Sequence, residues 1–529
     1  MNSERSNLRT WIFVLLTGLS VSIGWGIRGQ FGHEYGAAIA GAIAGMVVAL
    51  LSGRKDWHRR VPFFAVLGAI GIAFGGSMSY GKEIGYTQSS DPATVLYGFA
   101  CIFVIGFLWA APAGTGIALP VFLNREELTK LFVPLSTVFA AWYLQDVLRS
   151  LFLGARGEMS FRFFAGYGMS AILAALVALG FFFFRRKYWG VGTLLILYMA
   201  IGWLAGDLLF VRVLHLEMNP PRCDTWASCL GMVLGILAFC WKTHFGGIAF
   251  ATLGAGFFGG IGYTLGMVVK VLVMSSGLTT NWWSVMEQSQ GFFLGIVLAT
   301  IFAMLIRRAP VVNDDPPVRR WTEVFSVTFV LWLVPYLNFR KSPGEWVGEI
   351  KGLQPKLYGI NIVSDLLPSR GFMGWMDFIA VALAIALILL LTLHLRRPLP
   401  CIPTSWMGKG QLFYLVFLWS IVLMNFMLVL PRFTPIRLVT EWFITLNAVA
   451  CTVLLIYGCF ARPSPALQDV SDRPYAPWIR KFVLFGFLGA ILVSFLGFGI
   501  KVACWGDKPA GIVNTDQIRF GPRNTNTIR

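Results

Sequence analysis

The sequence predicts an all-α, polytopic integral membrane protein with about fifteen (14–15) transmembrane helices, arranged as two parallel six-helix repeats followed by three further helices. Three observations carry this prediction: the composition, the spacing of apolar segments, and short matches that recur in the same order in two parts of the chain. Apolar residues make up 57% of the 529 positions and charged residues only 13%, with a mean hydropathy of +0.70. In water such a chain would expose far too much apolar surface, so its solvent is lipid. The expected division is 1–187 for the first repeat, 188–400 for the second, 401–505 for the three added helices and 506–529 for a polar tail.

A membrane span needs about 20 apolar residues. Candidates lie at 11–28, 36–53, 62–81, 94–122, 131–153, 163–184, 189–211 and 226–241, then at 246–273, 290–306, 321–338, 376–395, 411–430, 440–460 and 482–503. The first follows a basic start (Arg5, Arg9) but lacks a small-residue cleavage site, so it reads as a retained helix and not as a secretion signal. The fourth is interrupted by Ala111-Pro112-Ala113-Gly114-Thr115-Gly116 and is where the count is most open.

Charge gives an independent test. Basic residues cluster between apolar segments: Arg54, Lys55, Arg59 and Arg60; Arg125 and Lys130; Arg185, Arg186 and Lys187; Lys242; Arg307, Arg308, Arg319 and Arg320; Arg396, Arg397 and Lys409; Arg462, Arg473, Arg480 and Lys481. With a cytoplasmic N-terminus all of these fall on inside loops, and the C-terminus is extracytoplasmic, as expected in a cell membrane. The net charge of +18 therefore reads as topology and not as a nucleic-acid stripe. The expected partners are membrane lipids and a small polar or anionic solute, with no nucleic acid.

Read against itself, the chain matches Ile23-Gly24-Trp25 with Ile201-Gly202-Trp203, Gly45-Met46 with Gly231-Met232, and Phe74-Gly75-Gly76 with Phe258-Gly259-Gly260. The order is kept and like helices take like orientations, which is a parallel repeat. Two parallel six-helix units with a cytoplasmic N-terminus resemble the layout of the major facilitator transporters. The loop Gly53-Arg54-Lys55-Asp56-Trp57-His58-Arg59-Arg60 is loosely similar to that superfamily's Gly-Asp-Arg-rich loop. The spacing of Asp56 and its basic neighbours departs from the family pattern, and the three added helices have no counterpart in it.

Candidate chemistry concentrates at the outer end of the first two helices, in Gly24-Trp25-Gly26-Ile27-Arg28-Gly29-Gln30-Phe31-Gly32-His33-Glu34-Tyr35-Gly36. Arg28, Gln30, His33 and Glu34 would be costly in hydrocarbon and suit either a wet pocket for an anion or a hairpin at headgroup level. Ser77, Ser79, Tyr80, Lys82 and Glu83 end the third span on the same side, as a second site element or, for Lys82 and Glu83, as interfacial charges. Asp146, with Arg149, closes locally on the fifth helix or faces the solute. Asp207 stands where the first repeat has Arg28, and reads as an anionic wall, an ion-pair partner or a proton carrier. Asn425 and Asn447 read as interhelical hydrogen bonders. Cys223 and Cys229 are the one pairable cysteine couple, and Trp346, Tyr358 and Trp375 mark the long outer loop 339–375 as a lid or an interfacial belt.

Several chemistries are excluded by motif. There is no His-Glu-x-x-His metal site, no haem Cys-x-x-Cys-His, no Gly-x-Ser-x-Gly elbow and no phosphate-binding loop, so no metal or cofactor is expected. Asp314-Asp315, followed by Pro316-Pro317 and Arg319-Arg320, reads as a solvated connector. Three functions stay open: a secondary transporter, a membrane-embedded transferase acting on a lipid-linked substrate with His33 or Glu34 as base, and a noncatalytic subunit of a membrane complex.

Overall fold

A chain surrounded by lipid must satisfy its backbone polar groups within each segment, and helices do so. In the computed structural model every regular element among the described residues is helical. The structure describes residues 2–31, 34–78, 80–153, 167–185, 189–216, 218, 225–312, 320–339, 375–429, 434–460 and 474–511. In chain order the helices are α1 (Asn2–Phe31), α2 (Glu34–Leu51), the short α3 (Lys55–His58), α4 (Val61–Gly75), the short α5 (Gly81–Thr87), α6 (Pro92–Phe122), α7 (Arg125–Leu153), α8 (Tyr167–Phe184) and α9 (Val191–Gly206), which runs into a π-helical turn at Asp207–Val213. There follow α10 (Thr225–Thr243), α11 (Gly246–Met274), α12 (Trp282–Ile306), α13 (Trp321–Thr328), a π turn at Phe329–Leu333, α14 (Val334–Phe339), α15 (Trp375–Arg396), α16 (Trp406–Val429), α17 (Pro435–Phe460) and α18 (Ala476–Trp505). Eleven helices among the described residues are long and apolar enough to cross a membrane.

Of the differences from the sequence reading, three have a plain local reason. The predicted span 62–81 stops at Gly75, where the chain turns and the Ser77 hydroxyl donates to the Phe74 carbonyl at 3.0 Å. The interrupted segment 94–122 is instead one continuous helix through Pro112 and Pro120. Its N-terminus is capped by Asp91, whose carboxylate accepts from the Thr94 backbone N–H at 2.8 Å and the Thr94 hydroxyl at 2.6 Å. The predicted span 290–306 begins earlier, at Trp282, because Glu287 and Gln290, unattractive in lipid, are buried against other helices.

Packing contacts define the core. Along α1 and α2, Gly24 meets Ala40 and Arg28 meets Gly36; along α2 and α4, Gly41 meets Gly68 and Gly45 meets Phe64. Along α4 and α6, Gly71 meets Pro112 and Gly75 meets Trp109; along α6 and α11, Gly114 meets Ala251 and Gly106 meets Tyr263. Between α11 and α12, Gly259 meets Leu294 and Gly266 meets Gln290, and between α12 and α1, Gly295 meets Thr17 and Gly291 meets Trp25. Each pair runs antiparallel, and the succession α1, α2, α4, α6, α11, α12 returns to α1 as a closed ring. Small residues let these backbones approach where apolar burial offers no drive against lipid. A Cβ at Gly41 would collide with the Gly68 carbonyl, so the α2–α4 spacing is set by that glycine.

The ring joins four helices from before residue 187 to two from after it. Of the pairings that a repeat would duplicate, first with second (α1–α2, α9–α10) and third with fourth (α4–α6, α11–α12) both occur. The matched glycines serve different neighbours, however: Gly45 abuts Phe64 of α4, whereas Gly231 abuts Gly202 of α9. Outside the ring, α15 and α18 carry rows of exposed Phe, Leu and Ile that lie against lipid.

At the opposite end from Arg28, two loop arginines turn out to be buried. Arg60, 1% exposed, donates from Nη1 to the carbonyls of Pro120 and Leu123 at 2.7 and 2.6 Å. Arg54 donates to the carbonyls of Ala309 and Pro310 at 2.7 and 2.6 Å and pairs with Asp56. Arg60 thus offsets the electronegative C-terminal end of α6, and Arg54 satisfies the carbonyls of the turn that follows α12. Charges that the sequence reading assigned to inside loops therefore also close the ring at this end.

Candidate functional site

The end of α1 delivers Trp25 and Arg28 one turn apart on the same face, pointing into the ring. There the Trp25 indole meets Trp109 of α6 edge-on at 4.7 Å between centroids and Tyr263 of α11 at 5.2 Å. Because α1 and α6 stand opposite each other in the ring, side chains that join them lie on its axis. Arg28 sits against this aromatic group, its guanidinium carbon 4.5 Å from the Trp25 ring centre and 5.0 Å from those of Tyr80 and Trp109. Such cation–π contacts suit a desolvated guanidinium.

A buried charge needs a counter-charge, and here it is Glu287 in the second turn of α12. The Arg28 Nη2 donates to Glu287 Oε1 at 2.9 Å, with the two residues only 1% and 2% exposed. The Tyr80 hydroxyl, from the connection before α5, donates to the same oxygen at 2.7 Å and itself accepts from Arg28 Nη2. Gly29 makes room for this carboxylate, since a Cβ there would overlap it. Lys270, near the end of α11 and also buried, lies over the Trp283 ring at 5.4 Å and makes no hydrogen bond or ion pair among the described residues. Trp283 in turn stacks on Tyr80.

Two cations thus face one carboxylate. Around them, Arg28 Nε and Nη1, the indole nitrogens of Trp25 and Trp109, and the Tyr263 hydroxyl are all buried and have no hydrogen-bond partner among the described residues. All but the hydroxyl are purely donors. An electropositive, donor-rich centre of this kind suits an anion.

Among the described residues singled out from sequence, Arg28 and Tyr80 occupy this centre. Glu34 begins α2 and lines an apolar cavity of about 170 Å³ with Tyr35, Ile70, Phe139 and Phe329. Glu83 is buried and Lys82 half-buried in α5, directly after Tyr80. Asp207 accepts from Arg212 Nε at 2.8 Å within the π turn, a local pair that is 29% and 69% exposed; the carboxylate facing Arg28 is Glu287. The backbone places Gln30 in the last turn of α1 and Asp146 in α7. His33, Ser79, Asp314-Asp315, Cys223, Trp346 and Tyr358 lie outside the described residues. Cys229 is a free buried thiol 3.4 Å from the Ser77 hydroxyl. Asn425 donates across helices to Glu441, the interhelical bond expected of it.

Glu287 and Lys270 escaped the sequence reading because each sits at the frayed end of an apolar run, where an interfacial charge is ordinary. The usable signal was Trp282-Trp283 followed by Glu287, Gln288 and Gln290: too polar for lipid, too aromatic for a loop.

A second cavity, about 110 Å³, lies between α4, α6, α7, α8, α9 and α10 and is walled by apolar side chains such as Leu67, Leu135, Met199 and Met232. Neither cavity touches Arg28. Among the described residues no group of three or more metal-ligating side chains converges. The fold and the apolar helices make this a multi-pass helical membrane protein. Compared with known proteins, the chain matches no family model, that of the major facilitators included, and no curated sequence.

Proposed function

We propose that the chain is a secondary transporter of a small anionic solute, taken up on the axis of the six-helix ring at Arg28 and Lys270. The observation that carries this reading is the buried, partnerless donor set around Arg28, for which an intramembrane charge without a transport or binding role would be a standing cost. The aromatic group Trp25, Trp109 and Tyr263 closes the axis beneath the cations and would form the inner gate. On this reading α4, α7, α8 and the broken α13–α14 cross with the other eleven helices, giving fifteen passes in a cell membrane, N-terminus inside and C-terminus outside. The antiparallel course of α4 between α2 and α6 supports that count. The residues 1–187 and 188–400 would be diverged copies, supported by their shared first–second and third–fourth pairings.

Uptake by proteoliposomes containing the full chain tests this directly, with labelled acetate, phosphate and sulfate as probes. Arg28→Gln and Lys270→Gln are each expected to lower uptake about tenfold or more. Cysteines placed singly along α1 and α12 should react with an impermeant thiol reagent from both sides. Reaction confined to the outer third, with no uptake of any probe, would sink the reading.

One observation favours a second reading, a transferase acting on a lipid-linked substrate: the cavity beside Glu34 and Tyr35 is lined almost wholly by apolar side chains, as an acyl or prenyl chain would require. Here Glu34 would be the base, and Glu34→Gln would abolish activity while leaving anion uptake at zero throughout.

A further inference from the structure

The way Glu287 holds Arg28 is unusually poor for a buried pair. A carboxylate meets a guanidinium best through two parallel hydrogen bonds, yet Glu287 uses one oxygen on one nitrogen, Nη2, and leaves Nε and Nη1 without partners. The ring faces of Trp25, Trp109 and Tyr80 lie 4.5–5.0 Å from the guanidinium carbon, and the donors left unpaired are on its edge. A planar, untethered carboxylate arriving at that edge can make the two bonds that Glu287 does not. Charge points the same way. Titratable groups around Glu287 are Arg28 from α1, Tyr80 from the connection before α5, and Tyr263 and Lys270 from α11, while α6 presents the Trp109 indole. With both tyrosines neutral the cluster carries one net positive charge, which one monovalent anion cancels.

We propose that Glu287 is a built-in stand-in for the substrate, that the substrate is a small monocarboxylate which replaces it on Arg28 and Tyr80, and that Lys270 receives the displaced Glu287 side chain. The proposal rests on the transport reading above and adds the substrate class and the exchange. In the exchange no covalent bond forms or breaks and no proton moves: one carboxylate leaves Arg28, another arrives, and Glu287 pairs with a cation that had no partner. The helix contacts change with it, since Glu287 ties α12 to α1 when the site is empty and to α11 when it is loaded. Occupancy is thereby converted into a shift of the ring at its outer end.

The test uses the full chain in lipid nanodiscs, with sodium acetate as the probe and sodium sulfate for comparison. Tryptophan fluorescence reads binding, because Trp25, Trp109 and Trp283 line the site, and an indicator dye in weak buffer counts protons. Wild type is expected to bind acetate in preference to sulfate without proton uptake. E287Q and E287A are expected to bind acetate roughly tenfold tighter or more, because the internal competitor is gone. K270M is expected to take up about one proton per acetate, because the displaced Glu287 then has no cation to pair with. Weaker acetate binding in both E287Q and E287A, or proton uptake by wild type, would overturn the exchange while leaving anion transport standing. No acetate or sulfate binding by wild type or by either Glu287 variant would instead overturn the transport reading, and the exchange with it. E287Q preserves size and shape, so it tests the idea even where E287A does not fold.

Discussion

At the scale of single residues, the chain uses arginine in two distinct ways. Arg28 is poorly paired and faces spare donors; Arg60 is fully engaged with helix-end carbonyls. The second is a structural role, and its loss strands the Pro120 and Leu123 carbonyls in a buried place. Arg60→Gln should cost about 2–3 kcal/mol, read as a lower unfolding midpoint in detergent, while acetate binding by the folded fraction stays at the wild-type level. His58, in the short α3 and buried, donates from Nε2 to the Leu50 carbonyl at 3.0 Å. Burial lowers its pKa from the ordinary 6.5, against the opposing pull of the Leu50 carbonyl and Asp56. The neutral ring is therefore the form that folding favours. Above pH 6.5 the full stability is present, and as the pH falls through the ordinary and then the lowered value the unfolded chain takes the proton first. Stability should drop by at most about 1.4 kcal/mol per pH unit in that window, and His58→Gln should flatten the dependence. An unchanged slope would show that another group titrates there.

At the scale of elements, small residues decide which helices touch. Gly41 on α2 stands against the Gly68 carbonyl on α4, so Gly41→Val should prise the pair apart and cost about 1–3 kcal/mol through overpacking. Gly180 on α8 has open space around it, and Gly180→Ala should leave the unfolding midpoint where it is. Equal effects of the two would mean that close approach is not what the glycines provide. Elements were also the level at which the sequence was most legible. Hydropathy located the apolar helices, but ends were misplaced wherever polarity and burial disagreed. Helix α12 lost its first turns in the sequence reading because Glu287 looks like a loop residue until Arg28 is brought to it. Helix α6 looked interrupted because Pro112 removes a backbone donor, yet it runs as one helix between α4 and α11.

For the molecule as a whole, the proposed orientation can be checked at two positions. Asn124 lies between α6 and α7, and Leu278, exposed, lies between α11 and α12. In a background without native cysteines, Leu278→Cys should react with an impermeant maleimide on intact cells, and Asn124→Cys only after the inner face is opened. Reaction of Asn124→Cys from outside would mean that α4 does not cross and would remove it from the count of spans. The sequence by itself determined the class of protein and the approximate course of its apolar helices, and it singled out Arg28, because solvent preference and the cost of charge in lipid are local properties of a segment. Only the tertiary structure decided what Arg28 faces. Asp207 seemed its natural opposite by repeat register, but it pairs with Arg212 five residues on, and Arg28 finds Glu287, which is 259 residues away. The physical reason is ring closure: α12 returns to α1 through packing of Gly291 and Gly295, and no spacing along the chain encodes which carboxylate that return brings to the axis.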